Sequence, residues 1–220
     1  MQQRSIDLAQ LFSYSFQQFK KYAIFIVGAT LTLLVVGGLP QTYFMLNAPQ
    51  NPTIKTQFFS FVITLIQAFL SLGFTKLMLL LVQDKPASTT DMFNNFRPFI
   101  SYFVGSFLYG IATVLGLLLF IVPGIFIMIR FQFYPYIILE ENDITAFSAL
   151  KKSYMLTEGL SLELFLLGVS IFALNIAGIL LFGIGILFSY PLTAMATAVV
   201  YKSFSEEEGS IPIDQYQPNS

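Results

Sequence analysis

Two long blocks of the chain carry no charge at all, positions 98 to 129 and 164 to 201. Apolar runs of similar character occupy 23–46 and 58–82. A membrane helix needs roughly 20 mainly apolar residues. The two shorter runs therefore read as one span each, and each longer block reads as two spans joined tightly. Pro and Gly punctuate helices, which places the breaks at Pro123-Gly124 and Gly183-Ile184-Gly185. The pattern predicts an all-α polytopic membrane protein. Its six transmembrane helices, at about 23–46, 57–82, 99–121, 124–140, 161–182 and 185–203, form three hairpins.

A second periodicity precedes the hairpins. Ile6, Ala9, Phe12, Phe16 and Phe19 recur every three or four residues, which is one face of a helix. Ser5 is placed to cap it, with Asp7 in its first turn. Phe147, Leu150 and Tyr154 repeat the pattern after Asp143, and Gly159 ends it. Such helices either lie in the headgroup region with the apolar face down or pack under the bundle as a lid. FQQFKKYAIFIVGATL (16–31) aligns without gaps on FNNFRPFISYFVGSFL (93–108), and GLLLF (116–120) on GILLF (178–182). The expectation is three copies of one unit, a cytoplasmic amphipathic helix followed by a membrane hairpin. Domain organisation follows: a six-span membrane domain over 1–204 and a disordered acidic, Pro-containing tail over 205–220.

Lys and Arg placement orients the hairpins, because these residues favour the cytoplasmic side. With the N-terminus inside, the cytoplasmic segments hold Arg4, Lys20, Lys21, Lys85, Arg97, Lys151, Lys152 and Lys202. The external loops hold only Lys55, while Lys76 and Arg130 fall within helices. The expected location is a bacterial inner membrane, crossed several times, with both termini cytoplasmic. The stretch before Lys20-Lys21 is amphipathic and lacks the apolar core of a secretory signal, so the first span is expected to remain uncleaved.

Composition supports the bilayer as solvent. The chain is 55% hydrophobic and only 10% charged, where a soluble domain carries about 25% charged residues. Net charge is −1, which gives no reason to expect a nucleic acid. Cys and His are absent. That removes disulfides, thiolate metal sites, the commonest metal ligand and the commonest general base. The one acid cluster, Glu140-Glu141-x-Asp143, reads as a solvated turn and helix cap, since a calcium loop needs a longer alternation of oxygen ligands. No catalytic residue, cofactor or metal is expected.

One residue resists the greasy pattern. Arg130 falls about six residues into the fourth span, roughly 9 Å below the outer edge. A cation at that depth costs about 2.5–3.5 kcal/mol on insertion scales. Asn175 and Gln67 are expected at comparable depth, with Tyr109, Gln132 and Tyr134 able to join a polar layer around the guanidinium. Such a layer would bind an anion or a phosphate headgroup; otherwise Arg130 snorkels to the outer headgroups. Gly28, Gly105, Gly116, Gly168 and Gly178 are expected at close helix contacts.

The stretch "PGIFIMIRFQFYPYIILEEN…AFSALKKSYMLTEG" resembles a signature of bacterial membrane families. These are the YciC-like inner-membrane proteins and the membrane domain attached to some glycerophosphoryl diester phosphodiesterases. The matching elements are Pro123-Gly124, Arg130, Glu140-Glu141-Asn142, Ala149-Leu150-Lys151, Ser153 and Gly159. The resemblance implies a multi-span inner-membrane protein without the catalytic domain of those fusions. The expected role is a non-enzymatic membrane scaffold or accessory subunit linked to lipid or envelope homeostasis. Its partners would be the lipid bilayer and a membrane protein or a second copy of itself. The rivals are a small transporter or channel for an anionic solute using Arg130, and a protein that shapes membrane curvature.

Overall fold

The computed structural model describes residues 7–47, 53–141, 143–181 and 183–205. Among them the chain folds into eight helices and a short 3-10 turn. These are α1 (Leu8–Lys21), α2 (Ala23–Leu46), α3 (Ile54–Val82), α4 (Phe96–Leu119), α5 (Ile121–Glu140), α6 (Ala146–Leu156), α7 (Ser161–Leu180) and α8 (Ile186–Ser205). Five of them, α2, α3, α4, α5 and α7, are long and apolar enough to cross a membrane. The molecule is thus an all-α, multi-pass membrane protein. Ser5 and Ile6 lie outside the described residues, as do Asn142, Phe182 and the tail from 206 onward.

The sixth expected span, α8, has the right length but is less apolar than the others. It is also the hub, packing against α1, α2, α3 and α7. Met195, Ala196, Ala198 and Val199 are fully enclosed, together with Leu77 and Met78 of α3. A helix wrapped by protein needs no lipid-compatible surface, so it can carry Thr193, Thr197 and an internal Pro191. The other long helices carry the apolar exterior. Leu118, Phe107 and Phe172 are each about two-thirds exposed or more.

The hairpin tips are built from backbone contact. The α4–α5 turn sits at Phe120, whose extended backbone ends α4, and Pro123 and Gly124 fall inside the first turn of α5. Pro is tolerated there because that N–H has no helical partner anyway. A Cβ on Gly116 would lie 2.9 Å from the Gly124 Cα. The α7–α8 tip repeats the device, since a Cβ on Gly185 would lie 2.5 Å from the Gly178 carbonyl oxygen. Gly116 and Gly178, the first residues of the GLLLF and GILLF segments, thus each face a glycine across the turn that follows. Gly105 also packs closely, under the Tyr134 ring, whereas a Cβ on Gly28 or Gly168 would meet nothing within 4 Å.

The longer alignment has no such equivalence. Phe19 is buried in α1, while its counterpart Phe96 is 75% exposed. Before α4 there is no amphipathic helix; Thr89–Met92 form a single 3-10 turn with a Ser88–Asp91 capping box. Two of the three hairpins, not all three, are therefore preceded by a separate helix, α1 and α6. α1 buries Leu11, Ser15 and Phe19 against the bundle, with Ala9 and Phe16 exposed. Its buried stripe is turned from the expected one because it packs on α8. Asp7 caps α1 directly, accepting from the Ala9 and Gln10 N–H groups. Thr145, not Asp143, caps α6, because Asp143 adopts a left-handed backbone (φ 63) that a helix cap does not use.

Candidate functional site

Arg130 ends the first, straight part of α5. The helix breaks at Gln132–Phe133 and resumes at Tyr134. Pro135 accounts for the break: its ring would strike the carbonyl four residues back, and it has no N–H to offer. Carbonyls in the last turn before a break need other donors. The Arg130 carbonyl has two within reach, the hydroxyls of Ser153 (2.9 Å) and Thr157 (3.2 Å). The Ser153 oxygen also accepts from the Phe133 N–H at 3.1 Å. One buried serine of α6 thereby stitches both strands of the break.

The guanidinium is held in the same place. Arg130 Nη1 donates to the Thr157 carbonyl. The Arg130 Cζ stands 4.0 Å from the Tyr154 ring centroid and 5.4 Å from that of Phe126. Arg130 is only 5% exposed, and its Nε has no hydrogen-bond partner among the described residues. Thr157 lies four residues before the first residue of α7, so Arg130 stands near the start of that helix.

Among the described residues no hydrogen bond joins the other expected members of a polar layer to the guanidinium; each has neighbours inside its own hairpin. Gln67 of α3 packs on Gly37 of α2. In the α4–α5 hairpin the Tyr109 hydroxyl donates to the Met128 carbonyl at 3.3 Å, and Tyr134 pairs with Ser106 at 2.7 Å. Gln132 Nε2 donates to the Ile129 carbonyl at 3.1 Å. Asn175 joins α7 to α8, donating to Thr193 Oγ1 at 3.1 Å and accepting from Ser189 Oγ at 3.2 Å. In the sequence these polar residues read as one neighbourhood, and Ser153 and Thr157, the groups that surround Arg130, do not stand out. Their i, i+4 spacing on the same face of α6 was the available signal.

Two further features flank the site. A groove of about 390 Å³ opens between α4 and α6, with Leu108, Tyr109 and Ala112 on one side and Leu150, Lys151 and Tyr154 on the other. Ion pairs gather where helices end on one side of the bundle: Lys21–Asp84, Arg97–Asp143, Lys152–Glu141 and Lys202–Glu140. Gln83 and Tyr201 also donate to Glu140, at 3.3 and 2.7 Å. These are the segments that the Lys/Arg distribution assigns to the cytoplasm, so a cross-linked polar belt marks that side of the molecule.

The Lys21–Asp84 pair gives the belt a small pH dependence. Lys21, then Tyr22, holds the Asp84 carboxyl below its ordinary value of 3.8. Asp84 in turn pushes the Lys21 ammonium up. A depressed carboxyl contributes stability above its unfolded value and loses it as pH falls through the folded value. The melting difference between the native chain and Asp84→Asn should therefore be largest near neutrality and vanish in strong acid below the usual carboxylate range. It should be small, since the pair is half exposed. An undiminished difference at pH 2 would remove the pair as its cause.

Compared with protein-family models, curated proteins and solved structures, the chain matches none.

Proposed function

We propose that this chain is a non-enzymatic bacterial inner-membrane scaffold or accessory subunit, serving lipid or envelope homeostasis. Six membrane helices form three hairpins that each return to the cytoplasmic side, where both termini also lie. The belt carries this reading. Its charges tie α1, α3, α4, α5, α6 and α8 together on one side, giving a rigid polar platform above an apolar body. The resemblance to YciC-like proteins accords with the multi-span architecture. The transporter reading loses support because Asn175 pairs with Thr193 and Ser189 and Gln67 packs on Gly37, whereas Arg130 is held by Thr157 and Tyr154. In sealed proteoliposomes the protein should pass no phosphate, and photo-crosslinkers at Lys85 and Arg97 should capture one reproducible membrane partner or a second copy. Phosphate flux abolished by Arg130→Ala would replace the scaffold with a transporter.

A second reading, curvature shaping, rests on the depth of the α4–α5 hairpin. Arg130 stands near the start of α7. From there to Ile121 the helix rises about 14 Å, against about 28 Å from Ser161 to Leu180. The tip, Phe120 to Val122, is at least 70% exposed and carries no charge. α4 rises about 35 Å from Phe96 to Leu119, so a tip at mid-bilayer requires its first turns to lie outside the hydrocarbon; a hairpin so placed would act as a one-sided wedge. The chain has no cysteine, so single cysteines report location cleanly. Asn47→Cys should react with an impermeant maleimide from outside, and Phe120→Cys should stay unlabelled from either side until detergent is added. External labelling of Phe120→Cys would remove the wedge and leave the scaffold; external labelling of Lys151→Cys would remove the topology itself.

A further inference from the structure

We infer that the groove between α4 and α6 holds an acyl chain of an anionic glycerophospholipid, with the headgroup phosphate on Lys151. The inference rests on the chain lying in a bilayer and not on the scaffold reading. The groove's volume, about 390 Å³, falls in the range of small-molecule sites, about 300–1,000 Å³. Its walls are Leu108, Ala112 and Leu150 with the rings of Tyr109 and Tyr154, a lining suited to hydrocarbon.

Its charge sits at one place. Lys151 is exposed and has no acidic partner among the described residues, whereas the adjacent Lys152 is held by Glu141. Behind the Tyr154 ring stands Arg130, whose Nε lacks an acceptor. Lys151 is therefore the charge that lines the groove, with a second, buried cation behind the Tyr154 ring, and no carboxylate is assigned to either among the described residues. A soluble anion has no use for the apolar walls, and an uncharged lipid leaves the ammonium without a partner. A lipid bearing net negative charge matches both parts. The depth agrees, because the Arg130–Thr157 contact sets the end of α6 close to the start of α7. Lysine stems reach headgroups from such positions, and the cytoplasmic leaflet is the anionic one.

The chain has no tryptophan, so Phe147→Trp beside Lys151 makes a single fluorescent reporter at the groove. The full chain in nanodiscs would be quenched with brominated phosphatidylglycerol or brominated phosphatidylcholine at equal mole fraction. Phosphatidylglycerol should be enriched about fivefold at the reporter, the factor corresponding to one surface lysine's attraction. Lys151→Gln should erase that preference, and Ala112→Phe, which fills the groove, should do the same while Lys151 remains. Leu117→Trp, near the hairpin tip, should show no preference. Equal quenching by the two lipids in the Phe147→Trp chain would overturn the inference. So would a preference that survives Lys151→Gln, or displacement of the lipid by soluble glycerol phosphate. Circular dichroism and detergent melting of each variant confirm that the readout comes from folded protein.

Discussion

Gly73→Ala should cost the protein most of its folded yield, whereas Gly28→Ala, in the neighbouring helix, should melt with the parent. A Cβ at Gly73 would lie 2.1 Å from the Met92 carbonyl oxygen and 2.7 Å from the Met92 Cα. Backbone cannot swing aside as a flexible side chain does. The 3-10 turn is also locked from within: Ser88 N–H donates to Asp91 at 2.8 Å, and Asn95 Nδ2 donates to the Asp91 and Met92 carbonyls. The turn must therefore lift as a unit, pulling fully buried Met92 from the core. Overpacking alone costs about 1–3 kcal/mol. Losing a buried methionine contact adds about 2 kcal/mol, so the total is expected near 3 kcal/mol or more. The measurement is thermal melting of both variants in detergent. A Gly73→Ala protein that melts with the parent would show that the turn does not rest on α3.

That contact also marks the limit of what the chain reveals when read alone. Helix existence was legible, because unbroken apolarity over 20 residues has few other physical outcomes. The hairpin turns were legible to within a few residues, because Gly and Pro accumulate there. Which partner a helix chooses was not. Gly28 and Gly73 look alike in a greasy run, and only the path of the 83–95 connection makes one a seat and the other open surface. Asn175, Gln67 and Arg130 share a polarity that stands out against leucine, so a common layer was the natural expectation. Short-range partners within its own hairpin satisfied the Asn175 amide, and Gln67 packs its stem on Gly37. Pro135 was visible, but the way its break is closed, with the Arg130 carbonyl accepting from Ser153 and Thr157, depended on α6 folding back against α5.

Arg130→Ala should be strongly destabilising while Arg130→Met should melt at or above the parental temperature. The alanine variant removes the Nη1 bond to the Thr157 carbonyl, the contact with the Tyr154 ring, and a long stem from a site that is 5% exposed. Emptying a buried site of that size costs about 2–5 kcal/mol. Methionine restores most of the volume and favours contact with aromatic rings. It also removes a charge that has no carboxylate partner among the described residues and an Nε without an acceptor, and replacing imperfectly compensated buried charge by apolar volume is often neutral or stabilising. Ser153→Ala supplies the companion measurement: it leaves the guanidinium in place but strips the Phe133 N–H and the Arg130 carbonyl of their shared hydroxyl, at about 1–3 kcal/mol for a buried unsatisfied group. If methionine proves as damaging as alanine, the cation itself holds α5 to α6. If methionine is tolerated in melting, the arginine's charge is dispensable to the fold, and its retention in the chain must be explained by what it meets in the membrane.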